Sequence, residues 1–214
     1  MSDSSGLAGQ FRPVKRPNEV FEHYWGGDDP AVSSRIAHES AAALLARVRD
    51  NADPAVVTRL AEFADEQGTD AIAELWAQSS PRSLPGALWR VYVIRAFIVQ
   101  QAEPTALAFE RGRAVSPGID PVVAGSALPA GPDEIRTVAD EILHGVFQGD
   151  FAGALERAAA FARVCSAGYV DFAHDSDADS AERARSFTVR AARLATIAEE
   201  LTSCARLWRA GSLD

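Results

Sequence analysis

Apolar residues recur at alternating steps of four and three along the last third of the chain. One run is Phe151, Leu155, Ala158, Ala162, Cys165, Tyr169 and Phe172; a second is Ala184, Phe187, Ala191, Leu194, Ala198, Leu201, Ala205 and Trp208. That spacing keeps one stripe of an α-helix turned toward a partner. The polar stretch His174-Asp175-Ser176-Asp177-Ala178-Asp179 separates the runs. The pattern therefore predicts an antiparallel helical hairpin over 151–209, with its turn centred between Ser176 and Asp177. At that register Cys165 stands opposite Thr188, and Cys204 lies about 24 Å farther along at ~1.5 Å per helical residue. A disulfide needs α-carbons within about 7 Å, so none is expected between these two cysteines.

Upstream, helix starts are marked by short polar residues and prolines. Asn18 caps a short helix over 19–25 that Gly26-Gly27 terminates. Asp29-Pro30 opens a helix reaching about Arg49, because aspartate accepts from free first-turn amides and proline is tolerated at the first helical position. The same device predicts a helix from Pro54 to near Gly68 and a short one from Pro121. Thr69 caps a helix over 70–78, Glu103-Pro104 starts one ending near Val115, and Gly131-Pro132 precedes one over 133–148. Ser79 to Pro85 is a break, and the apolar stretch 88–99 that follows reads as the central buried helix. The fold expected is all-α: a compact multi-helix bundle ending in a long antiparallel hairpin. Residues 18–214 form one domain behind a mobile tail, 1–17.

Composition narrows the function classes. At 214 residues and 47% hydrophobic content, the chain can bury a core without disulfides. Cys165 and Cys204 both fall on apolar seams, where a thiol acts as a small hydrophobe. The first residues lack a basic then apolar signal pattern, and 88–99 is too short to span a bilayer, so a cytoplasmic location is expected and no membrane partner. A net charge of -9 opposes non-specific nucleic-acid binding, which rests on neutralised phosphates. Of the 21 basic residues only Lys15 is a lysine. That usage is expected of GC-rich coding DNA and is not itself a binding signal. It also removes chemistries that need a lysine in a phosphate loop or a pocket, because Lys15 lies in the tail.

The segments Val20-Phe21-Glu22-His23-Tyr24-Trp25-Gly26-Gly27-Asp28-Asp29-Pro30, Ser83-Leu84-Pro85-Gly86-Ala87-Leu88-Trp89-Arg90 and Cys204-Ala205-Arg206-Leu207-Trp208-Arg209 resemble those of an uncharacterised all-helical protein family of high-GC Gram-positive bacteria. The resemblance implies a bacterial cytoplasmic helical protein and brings no activity, cofactor or catalytic residue with it.

Motifs for metal or acid–base chemistry are incomplete. Glu141 and His144 form a single Glu-x-x-His pair, whereas a di-metal bundle needs a second copy and two more glutamates. The stripe Ile135, Val138, Ala139, Ile142 and Val146 turns His144 toward solvent. Asp175, Asp177 and Asp179 resemble the start of a calcium loop, but Ser180 and Ser186 occupy the positions of its glycine and bidentate glutamate. An acidic turn ahead of a helix is the simpler reading. Asp28-Asp29 is a cap rather than a catalytic pair. No catalytic residue, metal or cofactor is expected.

Two places could recognise something. Val20, Phe21, Tyr24 and Trp25 form one apolar face, bordered by Glu22 and His23, on the short first helix. It either docks on its own bundle or clasps a protein partner or a second copy, since aromatics concentrate at interface centres. Trp76, Trp89, Arg90 and Tyr92 could line an inter-helix pocket, in which Arg90 holds an anion or pairs with a glutamate. The leading expectation is a non-enzymatic interaction, adaptor or regulatory protein. The alternative is an enzyme or small-ligand binder using that second region.

Overall fold

The computed structural model describes residues 30–50, 76–118, 120, 124–125, 131–147, 149–177 and 180–214. Within them the chain forms six α-helices and no strand. These are α1 (Pro30–Asp50), α2 (Leu84–Gln100), α3 (Ala102–Val115), α4 (Pro132–Phe147), α5 (Phe151–Asp177) and α6 (Ala181–Arg209). The expected helices over 19–25 and 54–68, most of that over 70–78 and nearly all of the one from Pro121 lie outside the described residues.

Helix ends follow from local hydrogen bonding. Helix α1 starts at Pro30, where a missing N–H costs nothing. Ser83 caps α2 by accepting from the Gly86 N–H at 3.3 Å while its hydroxyl donates to the Ser80 carbonyl at 2.7 Å. Asp150 accepts from the Gly153 N–H at the start of α5. Ser180, rather than an aspartate of the acidic turn, caps α6 through the Arg183 N–H. At the far end of α6, Gly211 takes a φ of 65°. Its N–H donates to the Trp208 carbonyl and the Ser212 N–H to the Leu207 carbonyl, the paired bonds of a Schellman cap. That reversal buries Leu213 and lets the Asp214 main-chain oxygen accept from the Leu84 N–H at 2.6 Å. The tail thereby closes the start of α2.

Helices α5 and α6 form the expected antiparallel hairpin, and both seams face inward. Leu155, Ala158, Ala162, Cys165 and Tyr169 on α5, and Ala191, Ala198, Leu201 and Ala205 on α6, are buried. The register differs from the expected one. Helix α5 continues to Asp177, so the reversal falls later in the chain. Phe172 meets Phe187 at 5.7 Å between ring centroids, the Ser166 hydroxyl donates to the Ala191 carbonyl at 2.8 Å, and Phe151 meets Trp208 at 4.7 Å. These pairs set Cys165 level with Arg193 and Leu194 instead of Thr188. Cys204 is then roughly ten residues, about 15 Å, farther along. Both thiols are free and buried.

The centre of the bundle also differs from the expected one. Helix α2 is the most apolar helix, yet Trp89, Tyr92, Val93, Ala96 and Phe97 along it are only half-buried and Val99 is exposed. Helix α5 is the hub: residues 158–162 are buried on five consecutive positions, so every side of that turn is covered. It packs against α6, α3 and α4, while α2 bridges α1, α4 and α6. Small residues make this possible. A Cβ added at Gly168 would lie 1.8 Å from the Ala108 carbonyl oxygen, and one at Gly112 would lie 1.8 Å from that of Val164. The backbones of α3 and α5 therefore touch where they cross, and Phe109 stacks on Phe161 at 5.2 Å beside the crossing.

Candidate functional site

The sequence-selected positions scatter. Val20, Phe21, Tyr24 and Trp25 lie outside the described residues. Trp76 is buried against α1, its indole N–H donating to the Ser40 hydroxyl at 3.1 Å. Trp89 and Tyr92 stack on one another at 5.5 Å along α2. Arg90 turns to α6, where its Nε donates to Glu200, and its Nη1 donates to the Gly86 carbonyl at 2.9 Å. The side chains thus engage different neighbours, and Arg90 takes the glutamate partner that was one of its two expected roles.

The acidic clusters are held by arginines of adjoining helices. Glu141 accepts from Arg157 at 2.5 Å, and His144 bonds through Nδ1 to the Asp140 carbonyl at 2.7 Å. Asp171 and Asp175 both accept from Arg111, whose guanidinium is held above its ordinary pKa first by the hydrogen bond to Asp171. Asp120 holds Arg163 with both carboxylate oxygens, at 2.7 and 2.9 Å. No group of three or more His, Cys, Asp or Glu able to hold a metal occurs among the described residues. Burial pushes the Cys165 thiol far above its usual range and the Cys204 thiol up to about 11. Cys204 donates its S–H to the Pro81 carbonyl at 3.3 Å. Neither sulfur is an available nucleophile near neutral pH, because the thiolate is the reactive form.

One polar group in the core stands apart. Where the end of α2 and the start of α3 meet the hairpin, the hydroxyls of Thr105 and Tyr169 are buried without a hydrogen-bond partner. Thr105 is 0% exposed and Tyr169 1%. Leaving such a hydroxyl unmatched costs about 1–3 kcal/mol. The Tyr169 ring is fixed by Phe97, Phe172 and Phe187, with centroids at 6.5, 6.2 and 5.9 Å. Arg190 lies over that ring, its Cζ 5.8 Å from the centroid, and its Nη1 donates to Gln101 Oε1 at 2.9 Å. Burial raises the Tyr169 pKa, and the adjacent Arg190 and, to a smaller degree, Thr105 pull it back.

The apolar periodicity hides this group. Tyr169 occupies a regular seam position, Thr105 sits in an alanine-rich helix, and Arg190 neighbours the seam residue Ala191. The available signal is the tyrosine itself, because a seam tyrosine carries into the core a hydroxyl that needs a partner. No protein-family model matches this chain, and no curated protein or solved structure is detectably similar to it.

Proposed function

We propose that this chain is a non-enzymatic helical interaction protein of adaptor or regulatory type, and that the outward face of α6 takes an acidic protein partner. The observation that supports this reading is the stripe Arg185, Val189 and Arg193, placed on successive helical turns away from the seam. All three are exposed, Val189 at 44%. Neither arginine has a carboxylate partner among the described residues, whereas Arg90, Arg111, Arg157, Arg163 and Arg209 are each paired across helices. In a chain of net charge -9, an unpaired basic stripe with an apolar centre is a local reversal of character. Arginine is enriched at interfaces, where its planar fork binds carboxylates. The aromatic face Val20, Phe21, Tyr24 and Trp25 is a second candidate contact for the same partner or a second copy.

The test is a double charge reversal, Arg185→Glu with Arg193→Glu. Wild type and variant would be compared by affinity purification from the native cell with mass spectrometry, and by sedimentation equilibrium for self-association. The reading expects at least tenfold loss of one retained partner, or of self-association, with the thermal midpoint unchanged within about 2 °C, since exposed positions contribute little to stability. Equal retention and equal self-association by the two proteins would refute it.

A further inference from the structure

We infer that the partner of the exposed α6 face is a second copy of this chain, packed antiparallel about a two-fold axis at Ala192. The inference rests on the reading of that face as a docking surface and names its occupant. At about 100° per helical residue, Arg185, Val189, Ala192, Thr196 and Glu199 share an arc of roughly 80° on the side of α6 opposite the buried seam Ala191, Leu194, Ala198 and Leu201. All five are exposed. The two charges stand symmetrically on this arc: Arg185 is seven residues before Ala192 and Glu199 seven residues after it, about 10 Å either way. A two-fold axis through Ala192 therefore sets Arg185 of each copy against Glu199 of the other, twice over. Neither side chain has an ion-pair partner among the described residues, so both are free to make these pairs. Parallel packing would instead set Arg185 against Arg185 and Glu199 against Glu199, and like charges in register oppose it.

Between the charges the face can shed water cheaply. The Thr196 hydroxyl donates to the Ala192 carbonyl at 3.1 Å and the Ser203 hydroxyl to that of Glu199 at 2.9 Å, so each keeps its hydrogen bond when covered. Val189, 44% exposed, gains burial, and Ala192 on the axis lets the helices approach to about 8 Å. Arg193 is about 100° around the helix from Ala192 and flanks the contact. Each copy carries a net charge of -9. At about 0.15 M salt the Debye length of roughly 8 Å screens that long-range repulsion, while pairs in direct contact are screened less. A contact through one helix face is smaller than the roughly 1,600 Å² of a standard interface, so the dimer is a weak one.

Sedimentation equilibrium of the full chain at that salt, from about 10 μM to about 1 mM, is the test, with a monomer–dimer equilibrium expected in this range. Arg185→Glu and Glu199→Arg should each weaken the dimer at least tenfold, because each sets like charges together at both ends of the contact. Combining the two substitutions restores opposite charges and should return the dissociation constant to within about threefold of wild type. Thermal midpoints of all three variants should stay within about 2 °C of wild type, since the positions are exposed. A wild type that stays monomeric, a dimer indifferent to the single substitutions, or a combined variant as weak as either single one would overturn the inference. A monomeric wild type that still retains another acidic protein, lost on Arg185→Glu with Arg193→Glu, overturns the second copy as occupant and leaves the docking face standing. A monomeric wild type with no such partner overturns both.

Discussion

Replacing Gly168 by alanine tests the close contact between α3 and α5. The added Cβ would sit 1.8 Å from the Ala108 carbonyl oxygen, whereas ordinary contact begins near 3.4 Å, so the crossing must open by about 1.6 Å. The obstacle is backbone on both sides and has no rotamer to change. Opening the crossing also loosens Phe109 from Phe161 and weakens dispersion contacts that fall off steeply with a radial gap of this size. Overpacking costs typically about 1–3 kcal/mol and sometimes more. Helix propensity acts the other way, favouring alanine over glycine by roughly 1 kcal/mol. Because backbone on both sides puts the cost at or above the top of the overpacking range, the net expectation is a loss of about 2 kcal/mol or more, a fall in the thermal midpoint of at least roughly 4 °C for a chain of this size. Urea denaturation followed by far-ultraviolet circular dichroism measures it, with Gly118→Ala, which has open space around its Cβ position, as the control within about 0.5 kcal/mol. Gly112→Ala should behave like Gly168→Ala, and the double variant should lose less than the sum, because both relieve the same contact. A Gly168→Ala protein as stable as the wild type would refute the crossing.

Other consequences follow from individual contacts. Glu200→Ala leaves the largely buried Arg90 without its carboxylate and should cost about 2 kcal/mol in chemical denaturation; no loss would mean that Arg90 finds adequate solvation elsewhere. Both thiols should resist iodoacetamide at pH 8 in the native protein and react in denaturant, because burial raises both pKa values; rapid native labelling of Cys204 would contradict its placement. The Arg209 hydrogen bond lowers the Glu156 pKa from its ordinary 4.5. The resulting stability is present above that ordinary value and is lost as pH falls through the lower folded value. Glu156→Gln should therefore shallow the acid limb of stability against pH, by a small amount because the pair is partly exposed.

Much of the fold is legible in the sequence because burial periodicity and caps are local properties. The stripe Ile135, Val138, Ala139, Ile142 and Val146 is buried as read, and α3 runs Ala102–Val115 against an expected helix from Glu103-Pro104 to about Val115. The apolar stretch 88–99 reads as the central helix although α5 is the hub, because apolarity and centrality are different properties. Val91, Ile94 and Ile98 make α2 greasy, but the middle of α5 is filled by Ala158, Ala159 and Ala160, whose small size permits helices to approach from several sides. The register differs because the polar stretch His174 to Asp179 reads as a turn, whereas Arg111 on α3 holds Asp171 and Asp175 and α5 continues to Asp177. The buried hydroxyl pair was invisible for a related reason: Thr105 and Tyr169 are brought together by the helix crossing and not by any local motif.

Native-state hydrogen exchange on the full chain tests the central claim, that α5 is the hub on which the other helices assemble. The slowest amides are expected in 158–168 and should exchange only through global unfolding, at the free energy measured by denaturation. Amides of α2 that outlast those of α5 would contradict it and return the centre of the bundle to 84–100.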